Sequence, residues 1–460
     1  MKPKIQYTLL AVILVLGFAV RLYKIQNPVA DWHSWRQADT AMVTRNFVRL
    51  GVDILHPRFD DFSDTSGHGL FNPEGYRFVE FPIFNLIHYS FFMIRPIGTL
   101  ELWGRLTSVF AALTSGILLF LIVRRRTNLT IGLLSSFFYL LLPFNIYFTR
   151  VILPDPLMVT LFLAALLCND RKNTILTILF GSLAILVKPV AIFFLFPISW
   201  EFIKSLKLKS FLILNSLFLI PFIAWRLWSH RFPEGIPASL WLLNGNHIRF
   251  RPAFFRWIFG ERIAVLILGK WGLWPLLHGA FSTLGGFSPW VISALLYLFT
   301  FATGNVQHDY YQIPIIPIIS ILLALGTWQL WHVTTRTWLN RAVLAFSLII
   351  MFGLSWYDVK GLYQINNGSI LAAGEAADKL LPKDALIVAT YNGDTAFLYA
   401  TQRRGFTHLP LPIKDLKDRY NIQYYVSVTY DKDTRAIMDK YTVLVEKPEY
   451  VIIQLVEPLP

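Results

Sequence analysis

Apolar runs long enough to cross a bilayer recur along this 460-residue chain as far as residue 356. A helix needs about 20 apolar residues to span the hydrocarbon core, so a chain that repeats such runs folds as a polytopic membrane protein. The composition agrees: 55% of residues are hydrophobic and 15% are charged, against about 25% charged in a soluble domain. The first run, residues 7–23, lacks a small-residue cleavage site and is followed by further spans, so it reads as a helix rather than a removed signal. A single cysteine, Cys168, excludes an internal disulfide framework and a cysteine metal site.

The net charge of +14 is unevenly placed. Residues 357–460 hold 12 Lys and Arg against 13 Asp and Glu, which leaves 30 basic and 15 acidic residues in 1–356. Basic residues collect in cytoplasmic loops, and anionic lipid head groups attract them. Nothing in the pattern presents a basic face on a soluble scaffold, so nucleic acid is a poor partner. With Lys2/Lys4, Arg124–Arg126, Arg171/Lys172, Lys204/Lys207/Lys209 and Arg336/Arg341 all placed inside, about eleven transmembrane helices follow. They are 7–23, 101–123, 130–149, 155–168, 174–187, 190–203, 211–228, 263–279, 287–302, 313–331 and 340–356. The amino terminus is then inside and the carboxyl terminus outside. Residues 81–94 are too short to cross and read as an interfacial helix; counting them as a span would turn every later basic cluster outward.

The expected fold is therefore an all-α polytopic membrane domain, residues 1–356. Its first outer loop, 24–100, carries interfacial helices, and a small extracytoplasmic α/β domain follows over 357–460. In that domain 368–380 reads as a helix, and 385–390, 423–429, 442–446 and 450–456 read as strands. Asn392-Gly-Asp394 reads as a turn.

Topology drawn from Lys and Arg clusters alone puts most of the unusual polar groups on one face. Directly after the first span comes Asp31-Trp-His33-Ser-Trp-Arg36-Gln-Ala-Asp39. In a helix over 34–50, Arg36 and Asp39 share a face. They either belong to an active site or form a local ion pair on a solvated interfacial helix. Glu80 starts the interfacial helix and can bind a sugar hydroxyl, anchor a metal or act as a base. Asp60, Asp61 and Asp64 read as loop residues without calcium-loop spacing. Arg150 and Asp155 lie at an outer helix end, where Asp155 is either a helix cap beside Pro156 or part of a polar cavity. Lys188 is the one charge in a long apolar stretch; it snorkels to the surface or binds a phosphate. His308-Asp309-Tyr310-Tyr311 forms either an aromatic-belt turn or a phosphate- or sugar-binding cluster.

Taken together these residues resemble the GT-C glycosyltransferases of the protein-mannosyltransferase and lipid A aminoarabinose transferase type. The likeness covers about residues 5–356. It rests on Trp35-Arg-Gln-Ala-Asp-Thr-Ala with Arg45-Asn-Phe, on Glu80-Phe-Pro, on Leu153-Pro-Asp155-Pro-Leu, on Lys188-Pro189 and on His308-Asp-Tyr-Tyr-Gln-Ile-Pro. It implies a sugar donor linked to polyprenyl phosphate and an inverting transfer at the outer face of a membrane, here a prokaryotic plasma membrane. Many relatives start the first-loop helix with Asp-Glu; aligning on Arg45-Asn-Phe puts Arg36-Gln37 there instead. The base is then Asp39, Asp31 or Glu80.

On this reading Lys188, Arg36, His33, Arg150, Asp155 and His308 to Tyr311 hold the donor phosphate or sugar. A carboxylate takes the acceptor proton. The partners are a polyprenyl-phosphate sugar, membrane lipids, and a glycan, lipid or protein acceptor. Metal dependence is left open: His33, Glu80, His308 and Asp309 offer ligands for a divalent metal, but no spacing signature marks a site. The alternative is a transporter or flippase of a lipid-linked anion. It requires mid-span charges and repeated broken helices, and the sequence shows no repeat.

Overall fold

The computed structural model describes residues 3–95, 97–282 and 284–456; Lys2, counted in the first basic cluster, lies outside them. The chain is mostly helical, with one small five-stranded sheet. Among the described residues, four helical segments are long and apolar enough to cross a membrane: Leu100–Arg126, Leu208–Ser229, Asp309–Trp331 and Thr337–Leu380. Shorter apolar helices include Ile5–Arg21, Leu129–Leu141, Thr174–Val187 and Ser288–Thr300. The chain divides into two compact units.

The first unit, Met1–Ile25, Arg105–Arg226 and Ser239–Tyr363, is a helical assembly. Helices Asp155–Asp170 and Thr174–Val187 form a hairpin. Its turn places Lys172 in the left-handed region, and the Asn173 side chain accepts from the amide of Leu176 at 3.1 Å. Three expected spans prove to be interrupted. Residues 130–149 form two helices, Leu129–Leu141 and Pro143–Phe148, because Pro143 forces Leu142 out of the helical region. The Leu140 carbonyl near that break accepts from the buried guanidinium of Arg21 at 2.8 Å. Residues 190–203 likewise break into Ala191–Phe194 and Phe196–Lys204 around Leu195, with Pro197 inside the second piece. Residues 263–279 divide into a π-helical stretch, Arg256–Ile267, and a short helix, Leu273–Ala280. The irregular backbone there finds partners in helix Thr337–Val359: Ser355 donates to the Leu266 carbonyl at 2.9 Å, and Ser347 to that of Trp271 at 2.8 Å.

A close helix contact in this unit joins Leu273–Ala280 to Ile316–Trp331. It is reciprocal. A Cβ on Gly279 would collide with the Leu322 carbonyl, and a Cβ on Gly326 with that of Pro275. Hydrocarbon offers no hydrophobic drive for helices to associate, so close backbone approach at small residues takes its place.

The second unit gathers Gln26–Gly104, Leu227–Ala238 and Gln364–Pro460. The first loop and the carboxyl-terminal residues thus fold as one body, whereas the composition change in the sequence falls at 356/357. Helix Ser34–Leu50 is buried from Arg36 through Phe47 on every face, which excludes a solvated interfacial helix. Helix Ile83–Ile94 packs on it through Asn85, whose amide donates to the Thr40 carbonyl at 2.7 Å and to the Thr44 hydroxyl at 3.0 Å. The sheet has strands β1 (Leu386–Thr390), β2 (Arg404–Phe406), β3 (Tyr424–Ser427), β4 (Thr442–Lys447) and β5 (Tyr450–Gln454), in the order β2-β1-β3-β5-β4. β1 runs parallel to β2 and β3, and β5 antiparallel to β3 and β4. The first loop joins this sheet. Phe62 donates its amide to Gly405 at 2.7 Å and places its ring in the core formed by Val388, Phe406 and Val451.

The glycine crossing predicts that Gly326→Ala and Gly279→Ala each lower the thermal midpoint in detergent. The expected loss is the ~1–3 kcal/mol of an overpacked contact, with a double variant milder than the sum. Gly353→Ala, where an added Cβ meets nothing within 4 Å, is the control and should be neutral or stabilising. An equal loss at positions 326 and 353 would contradict this reading.

Candidate functional site

In the second unit, polar side chains on helix Ser34–Leu50 reach partners on other segments. His33 precedes this helix in the left-handed region, and its carbonyl accepts from the amides of Arg36 and Gln37 at 3.1 and 3.3 Å. Gln37 donates to Asp31 Oδ1 at 2.6 Å. Arg36 and Asp39 do not pair with each other, although their spacing allows it. Arg36 forms an ion pair with Glu80, and Asp39 Oδ2 with Arg77. Asp39 Oδ1 accepts from the Thr395 hydroxyl at 2.7 Å. Nearly two turns further on, Arg45 pairs with Asp60, donates to the Tyr399 carbonyl at 3.0 Å and lies 4.2 Å from the centre of that ring. These contacts fasten the first loop to the carboxyl-terminal residues.

Two more carboxyls feel the charge of Asp39. Burial pushes Asp61 up to about 6; hydrogen bonds from Ser63 oppose the shift, and the Asp39 charge adds to it. Asp394 caps helix Thr395–Ala400 by accepting from the Ala396 amide at 2.7 Å. It too is pushed up to about 6, by burial and then by Asp39. Asp61, Arg77, Asp394 and Thr395 were not legible as site residues. Asp61 and Asp394 read as loop and turn, and no local pattern marks Arg77 or Thr395.

The first unit holds the other cluster. Pro189 forces Lys188 into an extended conformation at the end of helix Thr174–Val187. Its ammonium meets Asp155 Oδ1 at 2.8 Å and lies 5.4 Å from the ring centres of both Tyr310 and Tyr311. Lys188 is 13% exposed and Asp155 2%, so the pair is desolvated rather than snorkelling. Asp155 stands at the first turn of its helix, and its Oδ2 is buried and accepts no hydrogen bond among the described residues. The His308 ring stacks on Tyr310 and Tyr311 at 5.5 and 5.9 Å. Lys188, Asp155, His308, Tyr310 and Tyr311 therefore come together. Asp309 instead pairs with Arg262. Arg150 is buried against the Lys24 carbonyl and the Tyr363 ring.

Among the described residues no three His, Cys, Asp or Glu side chains converge as metal ligands. Glu80 and Asp309, two of the four expected ligands, face guanidinium groups instead.

The raised Asp61 carboxyl has a consequence for stability. Its folded value lies above the unfolded one, so its contribution is complete below about pH 4 and is lost as the pH rises through about 6. Asp61→Asn removes that loss. Thermal midpoints measured against wild type should shift in favour of the variant as the pH rises from about 4 to about 7. A difference independent of pH would show that Asp61 is not held this way.

No protein-family model matches the sequence, and no curated protein matches it by sequence. Solved structures do match. ArnT from Cupriavidus metallidurans bound to undecaprenyl phosphate superposes with a TM-score of 0.63 at 14% identity, covering 99% of both chains. The same protein in the apo state gives 0.64 at 13% identity, covering 98% of this chain and 97% of that one. The oligosaccharyltransferase AglB from Archaeoglobus fulgidus, in complex with an inhibitory peptide and a dolichol-phosphate, gives 0.57 at 11% identity. It covers 91% of this chain and 69% of AglB. The chain has the fold these proteins share, the GT-C fold, over nearly its whole length.

Proposed function

We propose that this chain is an integral membrane glycosyltransferase that moves a hexosyl or pentosyl group from a polyprenyl-phosphate donor to an acceptor hydroxyl, with inversion. The observation that carries the reading is the likeness, end to end, to a structure bound to undecaprenyl phosphate. The Lys188 cluster supplies the chemistry such a donor requires. Two of the three ammonium donors remain after the bond to Asp155, enough to meet a phosphate oxygen as negative charge develops on it. The free oxygen of Asp155 suits a sugar hydroxyl, and the Tyr310 and Tyr311 rings suit an apolar sugar face.

The acceptor oxygen attacks the anomeric carbon from the side opposite the phosphate. The bond from that carbon to the phosphate oxygen breaks, its electron pair leaves with the phosphate, and the acceptor proton passes to a carboxylate. Asp39 is the first choice. A carboxylate has about four lone-pair positions, and Arg77 and Thr395 occupy two. Asp31 and Glu80 are the alternatives. In this reading the chain crosses a prokaryotic plasma membrane about eleven times, with the site and the carboxyl-terminal residues extracytoplasmic. The acceptor is a protein, a glycolipid or a glycan.

Purified protein given a radiolabelled polyprenyl-phosphate sugar should transfer the label to acceptor. Lys188→Ala should lose roughly 10²–10³-fold in rate, and Asp39→Asn roughly 10²–10⁴-fold. Full transfer by both variants would sink the mechanism. Lipid movement across vesicles without transfer would assign the chain to flipping instead.

A further inference from the structure

We propose that Thr395 is a positioning residue for Asp39, so that the carboxyl-terminal part of the chain belongs to the catalytic apparatus; this rests on the function proposed above. Thr395 opens helix Thr395–Ala400, which packs on helix Ser34–Leu50. The segment that delivers it is built for the purpose. Strand β1 ends at Thr390, and Asn392 and Gly393 take positive φ values of 50° and 72°. The Asp394 amide donates back to the Tyr391 carbonyl at 2.8 Å, and the Asp394 side chain then caps the new helix. This tight turn sets the Thr395 hydroxyl 2.7 Å from Asp39 Oδ1 and 3.1 Å from the Trp35 carbonyl. The charged acceptor, at the shorter distance, takes the proton.

Asp39 is 3% exposed and Thr395 8%, so the bond is sheltered from solvent. Arg77 holds the opposite oxygen. With one donor on each oxygen, the carboxylate plane cannot turn about its last torsion, and the remaining lone pairs keep a fixed aim. Proton abstraction depends on that aim, because general-base catalysis demands hydrogen-bond geometry in the transition state. The charged and titratable groups facing Asp39 are Arg77 from the first loop, Asp61 from the same loop where it bridges to Gly405 of β2, and Asp394 from the turn. Two of the three repel its charge, which leaves Arg77 and Thr395 to hold the ionised carboxylate in place.

The test compares wild type, Asp39→Asn, Thr395→Val and Thr395→Ser, all full-length, in transfer from a polyprenyl-phosphate sugar across a pH series. Thr395→Val keeps the shape and removes the donor. Its kcat should fall roughly 10- to 100-fold, the effect of one hydrogen bond to a charged group, while KM for the donor lipid stays unchanged. The acid limb of its kcat profile should move to higher pH, since a hydrogen bond to the ionised form favours that form. Thr395→Ser, which restores the hydroxyl, should recover both. Wild-type kcat and pH profile in Thr395→Val, or equal damage in Thr395→Ser, would overturn the inference and leave the function standing. Full transfer by Asp39→Asn would likewise overturn this inference alone, whereas no transfer by wild type would overturn the function and this inference with it. Thr395→Ala supplies the same comparison where the valine variant does not fold.

Discussion

A buried charge must be met by an opposite charge or by several hydrogen bonds, because the interior cannot solvate it. That constraint organises both units. Arg21 is fully buried and spends its guanidinium on the Gly17 and Leu140 carbonyls and the Thr149 hydroxyl. Lys188 meets Asp155, and Arg45 meets Asp60. Several of these bonds tie segments far apart in sequence, Arg21 to Leu140 and Thr149 above all. In an apolar protein, where dispersion packing is permissive, these polar ties fix which helix faces which.

The same constraint explains helix Ser34–Leu50. A helix with Arg36, Gln37, Asp39, Thr40, Thr44, Arg45 and Asn46 on it is polar nearly all round, and by composition belongs in water. It is buried instead because its charged groups and Asn46 find partners on neighbouring segments: Arg36 on Glu80, Asp39 on Arg77 and Thr395, Arg45 on Asp60 and the Tyr399 carbonyl, Asn46 on Asp60. A polar helix locked this way is a rigid platform.

Much of the architecture was legible because its causes are local. The helix over 34–50, the hairpin hinged at Arg171 to Asn173, the stop at Lys188-Pro189 and four of the five strands follow from periodicity, caps and proline. The interruptions at Pro143 and Leu195 follow from local chemistry as well. The break after Ile267 does not, since it relies on the hydroxyls of Ser347 and Ser355. Strand β2 escaped notice because it is three residues long and contains Gly405. Within the candidate site, Lys188, Asp155 and the His308 cluster stood out as polar groups in apolar surroundings. Of the two readings open for Arg36 and Asp39, the local ion pair on a solvated helix does not hold, because the helix is buried and each side chain meets a partner on the first loop.

The sequence by itself determined that this is a helical membrane chain with a small α/β appendage, and which charges stand where apolar residues are the rule. Hydropathy, proline and helix periodicity act over a few residues, so those features are written locally. Only the tertiary structure decided who meets whom: Asp39 with Arg77 and Thr395, Arg36 with Glu80, Asp61 with the edge of β2. Those pairings depend on desolvation and on backbone brought together across as many as 356 residues, and no local pattern encodes such a meeting.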